Sequence, residues 1–96
     1  MLESVFQAKV IRELMEMYPD CIIMKEDPGY IQGIPDLAIF NGDRWATLEC
    51  KRSENAPHRP NQDYYVRKMD EMSFSRFIYP ENTEEVFYEL QRAFSR

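Results

Sequence analysis

Along residues 2–18 the apolar positions Phe6, Val10, Ile11, Leu14, Met17 and Tyr18 recur with helical spacing. At about 100° per residue they share one side of a helix. Lys9, Arg12, Glu13 and Glu16 share the other, and Pro19-Asp20 ends the element. Residues 21–27, CIIMKED, read as a strand closed by a turn at Asp27-Pro28-Gly29. An irregular link through Gly33 leads to two apolar runs joined at Asn41-Gly42, the signature of a hairpin. Residues 52–61, RSENAPHRPN, are polar and broken by two prolines, so they form a loop. A second helix over 61–72 carries Tyr65, Val66, Met69 and Met72 as its apolar positions, with Asn61 as N-cap. Residues 73–79 alternate Phe74, Arg76 and Ile78 against Ser73, Ser75, Phe77 and Tyr79, a fourth strand ended by Pro80. A last helix over 83–94 aligns Val86, Phe87, Leu90 and Phe94, and Asn82 and Glu85 have the spacing of a capping box. The order is α-β-β-β-α-β-α, which makes an α/β fold of one domain over 1–96.

The hairpin carries charge where a covered sheet should be apolar. A two-residue type I′ loop at Asn41-Gly42 sets Phe40 opposite Asp43, Asp36 opposite Thr47 and Ile34 opposite Glu49. Strand side chains alternate between faces, so Asp36, Glu49 and Lys51 emerge together. Leu37, Ile39, Ala46, Leu48 and Cys50 take the other face. A three-residue loop would break this parity. On the first helix Glu3 and Gln7 fall amid the apolar residues, on the side expected to cover such a face. Glu3 taken alone also suits the first turn of a helix, where acids meet the positive end of the dipole.

Composition agrees with a folded chain: 96 residues, 44% hydrophobic and 14% aromatic, enough for one modest core. No apolar run approaches the roughly eighteen residues of a membrane span, and the N-terminus lacks a signal-type apolar segment. A cytoplasmic location is therefore expected, with Cys21 and Cys50 as reduced thiols. The net charge of −5 argues against tight binding to featureless DNA. Its distribution is uneven, however. Residues 51–76 set Lys51, Arg52, Arg59, Arg67, Lys68 and Arg76 against only Glu54, Asp63, Asp70 and Glu71. Arg52, Arg59, Arg67 and Lys68, with His58 in the same loop region, are the candidate nucleic-acid contacts.

Two converging carboxylates repel each other unless a cation lies between them. A hard divalent ion with oxygen ligands, Mg²⁺ or Mn²⁺, resolves that conflict, and no histidine or thiol of this face suits zinc. Lys51 on the same face could hold an attacking water or neutralise a phosphoryl oxygen, which is equipment for phosphodiester hydrolysis. Each charge has an ordinary reading as well: Asp36 as a solvated edge acid, Glu49 and Lys51 as a cross-strand ion pair.

Gly33-Ile34-Pro35-Asp36, followed by Glu49-Cys50-Lys51 on the next strand, resembles the PD-(D/E)xK nuclease superfamily. The element order is similar to its restriction-endonuclease-like α-β-β-β-α-β core, a mixed central sheet flanked by helices, here with an extra C-terminal helix. The G-x-P-D-L form, the small size and Gln62 at the start of the second helix resemble the VRR-NUC family, which includes compact stand-alone bacteriophage nucleases. That resemblance implies Asp36 and Glu49 as metal ligands, with the Cys50 backbone carbonyl as a further one. It implies Lys51 as the catalytic lysine, Glu3 as a first-helix acid reaching the metal directly or through water, and Gln62 directed back at the site. It further implies a DNA endonuclease selective for branched DNA such as four-way (Holliday) junctions, acting as a homodimer in the cytosol of a phage or bacterial host. A non-catalytic DNA-binding or assembly subunit on the same fold is the alternative, and hydrolysis of RNA is a third.

Overall fold

The structure, a computed structural model, describes residues 1–27 and 29–95. Pro28, in the turn expected at Asp27–Gly29, and Arg96 lie outside the described residues. Among the described residues three helices, α1 (Glu3–Met17), α2 (Gln62–Met72) and α3 (Thr83–Phe94), flank four strands. These are β1 (Ile22–Lys25), β2 (Leu37–Asn41), β3 (Arg44–Cys50) and β4 (Ser75–Ile78), and a short 3₁₀ turn, Pro80–Asn82, precedes α3. They form one mixed sheet in the order β1-β2-β3-β4. β1, β2 and β3 are antiparallel neighbours, and β4 runs parallel to β3 after the crossover through α2. The chain is thus α/β with helices on both faces of a mixed sheet. No described helix is long and apolar enough to cross a membrane.

The core lies under one face. Phe6, Val10 and Leu14 of α1 and Val86 and Leu90 of α3 pack on Leu37, Ile39, Ala46, Leu48 and Cys50, the apolar set expected of the hairpin. Most of these are under 2% exposed, and burying one such side chain stabilises the fold by about 1.5–3 kcal/mol. Both cysteines are free thiols.

Here the helix expectation needs correction. α1 covers the apolar face, not the face of the carboxylates; its stripe fits any apolar surface and does not say which. Glu3 is exposed in the first turn, and Gln7 is only partly covered. α2 roofs the carboxylate face instead, resting on β3 and β4. Its Gln62 and Val66 are buried, whereas Met72 is exposed. The β1–β2 half of that face stays open and carries exposed Ile22, Met24 and Phe40.

The hairpin register is also shifted. Phe40 faces Trp45 and Asn41 faces Arg44, so the two loop residues are Gly42 and Asp43, not Asn41 and Gly42. Gly42 has φ +65°, and Asp43 is not among the positive-φ residues. That pattern belongs to a type II′ turn, which needs glycine only at its first central position. The shift is two residues, so every side chain keeps its face, and Asp36 moves from opposite Thr47 to opposite Glu49.

Two expected caps do not form. Asn61 is left-handed (φ 71°) and makes no side-chain cap. Asn82 caps no α3 amide; its side chain accepts from the Tyr79 N–H at 2.8 Å and donates to the Phe77 carbonyl at 3.0 Å.

Candidate active site

The sheet presents a polar row to α2: Thr47, Glu49 and Lys51 of the β3 run, with Ser75 of β4, all under 5% exposed. The alternation of β3 aims Glu49 and Lys51 at the helix, and the register carries Asp36 beside Glu49. Asp36 is fixed by the backbone: its Oδ2 accepts the Cys50 N–H at 3.1 Å. The Asp36 and Glu49 carboxyls approach closely enough to share a proton. Burial pushes the Glu49 carboxyl up to about 8, helped by the negative charges of Asp36 and Glu3 and opposed by Lys51. Burial raises Asp36 as well, against the Cys50 amide and the positive charges of Lys51 and Arg59. Cys50 points into the core on the opposite face, and burial pushes its thiol far above the ordinary range.

Gln62 ties the acids to the amine. Its Nε2 donates to Glu49 Oε2 at 3.1 Å, and its Oε1 accepts from Lys51 Nζ at 2.6 Å and from the Arg59 N–H at 2.8 Å. A flipped amide would set its NH₂ against two donors, so the orientation is forced. Lys51 Nζ also donates to the Pro57 carbonyl at 3.1 Å. Two of its three N–H bonds are thereby used by the loop and by α2. Glu49 Oε1, enclosed beside Asp36, has no hydrogen-bond partner.

Gly33 makes this roof possible. It has φ +91°, and a Cβ there would lie 2.7 Å from the Asn61 carbonyl carbon. The segment leading to Asp36 can therefore pass directly beneath the turn that begins α2. No match was found among protein-family models, curated proteins or solved structures. The chemistry of the site rests on its own geometry.

Asp36, Glu49, Lys51 and Gln62 are brought together as the sequence suggested. Glu3 is not part of the buried cluster: it is exposed, and its charge reaches Glu49 and Cys50 only as a repulsion. Among the described residues no three Asp, Glu, His or Cys side chains already converge as a metal-binding group. His58 stacks on Phe77 (ring centroids 4.1 Å, 16° between planes), and its Nδ1 lies 2.7 Å from Asp63 Oδ1. It pins the loop beside Lys51. Arg52, Arg59, Arg67 and Lys68 are exposed and form no ion pair among the described residues. Sequence reasoning missed the contact of Gly33 with Asn61 and the anchoring of Lys51 by Pro57. The first joins segments 28 residues apart, and the second depends on how the loop after β3 folds back on itself, which the spacing of residue types does not encode.

Proposed function

We propose that this chain is a metal-dependent endonuclease of the PD-(D/E)xK type with a VRR-NUC-like, restriction-endonuclease-like core, hydrolysing phosphodiester bonds of DNA with Mg²⁺ or Mn²⁺. The observation that carries the reading is Glu49 Oε1, a buried carboxylate oxygen with no partner, set beside the second carboxylate of Asp36. Without a cation this buried pair of acids holds on to a proton, and a bound cation takes over the task of offsetting their charge. The donor set is all oxygen and fits a hard divalent ion: the free oxygens of Asp36 and Glu49, and the Cys50 carbonyl. Glu3 stands outside this set and would act only through water. When bound, such an ion polarises the scissile phosphate and offsets the charge that develops on it.

The protein's own groups do the rest. The remaining N–H of Lys51 is left to orient the attacking water or a phosphoryl oxygen, since the other two are engaged. Gln62 fixes the amine relative to the acid, so that little rearrangement is needed on reaction. Arg52, Arg59, Arg67 and Lys68 form the cationic margin for the phosphate backbone, with His58 as a neighbouring contact, which supports affinity without base reading. The same reading includes selectivity for branched DNA and a homodimer, since symmetric cleavage of a four-way junction needs two active sites related by a two-fold axis.

The test is cleavage of junction, flap and linear duplexes with Mg²⁺ or Mn²⁺, with light scattering for the oligomeric state. Lys51→Ala is expected to abolish cleavage while still binding metal. Full activity of Lys51→Ala would refute the assignment, whereas metal-independent DNA binding without cleavage would favour a binding subunit. Cleavage of matched RNA but not DNA would transfer the activity to RNA.

A further inference from the structure

The strand register brings one more acid to the row. Lys25 stands opposite Leu37, and one step further the Glu26 N–H donates to the Asp36 carbonyl at 2.8 Å. Glu26 and Asp36 thus continue the antiparallel register one step beyond the ends of β1 and β2, held by this single backbone bond. Directly opposed side chains share a face, so the row reads Glu26, Asp36, Glu49 across three strands. Glu26 is half-buried and makes no ion pair among the described residues.

Aligned acids alone do not make a site. The second observation is the enclosed, unpartnered Glu49 Oε1 on the same row; its residue is 2% exposed. Asp36 and Glu49 repel each other unless a cation lies between them, and Glu26 stands one strand spacing, about 5 Å, further out on the same face. α2 roofs β3 and β4, which encloses the Glu49 end and leaves the Glu26 end on the uncovered half of the sheet. A hydrated ion would enter from that open end.

We propose that Glu26 is the third acid of the site, holding a divalent cation at Asp36 and Glu49 from the solvent side through the ion's water shell. The proposal rests on Asp36 and Glu49 being the cation's direct ligands. Ions such as Mg²⁺ keep several waters when bound, and a carboxylate accepting from those waters orients them.

The experiment is Mn²⁺ titration by calorimetry on the full chain, comparing wild type with Glu26→Gln, Asp36→Asn and Asp43→Asn. Asp43 lies in the hairpin turn at the far end of the strands and is 98% exposed at its side chain, so its variant removes the same charge at a distance. Glu26→Gln is expected to weaken Mn²⁺ about tenfold, Asp36→Asn to lose binding, and Asp43→Asn to stay within about twofold of wild type, with distant surface charge largely screened. In chelator, Glu26→Gln is expected to melt no lower than wild type, because the Glu26 side chain makes no ion pair among the described residues; a merely structural role would lower that temperature. Glu26→Gln matching wild type while Asp36→Asn loses binding would overturn the role of Glu26 alone. Equal weakening by Glu26→Gln and Asp43→Asn would also overturn it, as an effect of net charge. Undiminished binding by Asp36→Asn, or none by wild type, would overturn the metal site itself.

Discussion

Glu49→Gln separates the cost of the carboxylate pair from its use. Glu49 is held at about 8 against an ordinary 4.5, so between those values the folded protein keeps a proton that the unfolded chain has released. Stability of the metal-free protein must then fall as pH rises through this window, by up to about 1.4 kcal/mol per pH step. The upper limit at pH 8 is about 5 kcal/mol. Below pH 4.5 both states are protonated and the term vanishes. Glutamine retains an acceptor for Gln62 Nε2 and turns an amide donor towards Asp36, where Glu49 Oε1 had no partner. In EDTA at pH 8 the variant is expected to exceed wild type by about 2–5 kcal/mol, an increase in melting temperature of roughly 10 °C or more for a domain of this size. At pH 4.5 the two should nearly coincide. Urea or thermal denaturation followed by circular dichroism measures both. Adding Mn²⁺ should stabilise wild type by about 2.7 kcal/mol at a hundred times its Kd and leave the variant almost unchanged. Identical pH slopes in the two proteins, or a variant less stable at pH 8, would refute the reasoning.

Three further outcomes follow from the same geometry. Gln62→Ala should lower cleavage about 10–100-fold with metal still bound, since it frees Lys51 Nζ and Glu49 Oε2 from their shared tether; single-turnover rates on a junction would read this. Gly33→Ala should destabilise the fold by about 1–3 kcal/mol or more, because its Cβ meets the Asn61 backbone at 2.7 Å and a left-handed φ adds strain; a denaturation midpoint near wild type would contradict it. Replacing Arg67 and Lys68 together by alanine should weaken DNA binding and flatten its salt dependence by about two counterions, without altering metal affinity; fluorescence anisotropy at several salt concentrations would show it.

Much of the site was legible because strand periodicity is strict. Any two-residue loop, or a shift of register by two, leaves Asp36, Glu49 and Lys51 on one face. Placing the loop at Asn41-Gly42 was therefore wrong about partners and right about faces. The elements themselves were readable from apolar spacing and from Pro19, Pro60 and Pro80. Local hydrogen-bonding preference was the weaker guide: Asn61 takes a left-handed backbone and makes no side-chain cap, and Asn82 turns its side chain to the Tyr79 N–H and the Phe77 carbonyl instead of to α3.

What the sequence by itself determined was the sorting of side chains into an apolar and a charged face, since alternation and helical periodicity act within a few residues. Only the tertiary structure decided what meets each face. An amphipathic helix fits either side of a sheet, so the placing of α2 rather than α1 over the carboxylates is a property of the whole packing. The same holds for the Gln62 bridge, for the passage of Gly33 under Asn61, and for the row that brings Glu26 to Asp36. Each of these joins residues that are separated along the chain and become neighbours only when the sheet register and the roof over it are set together.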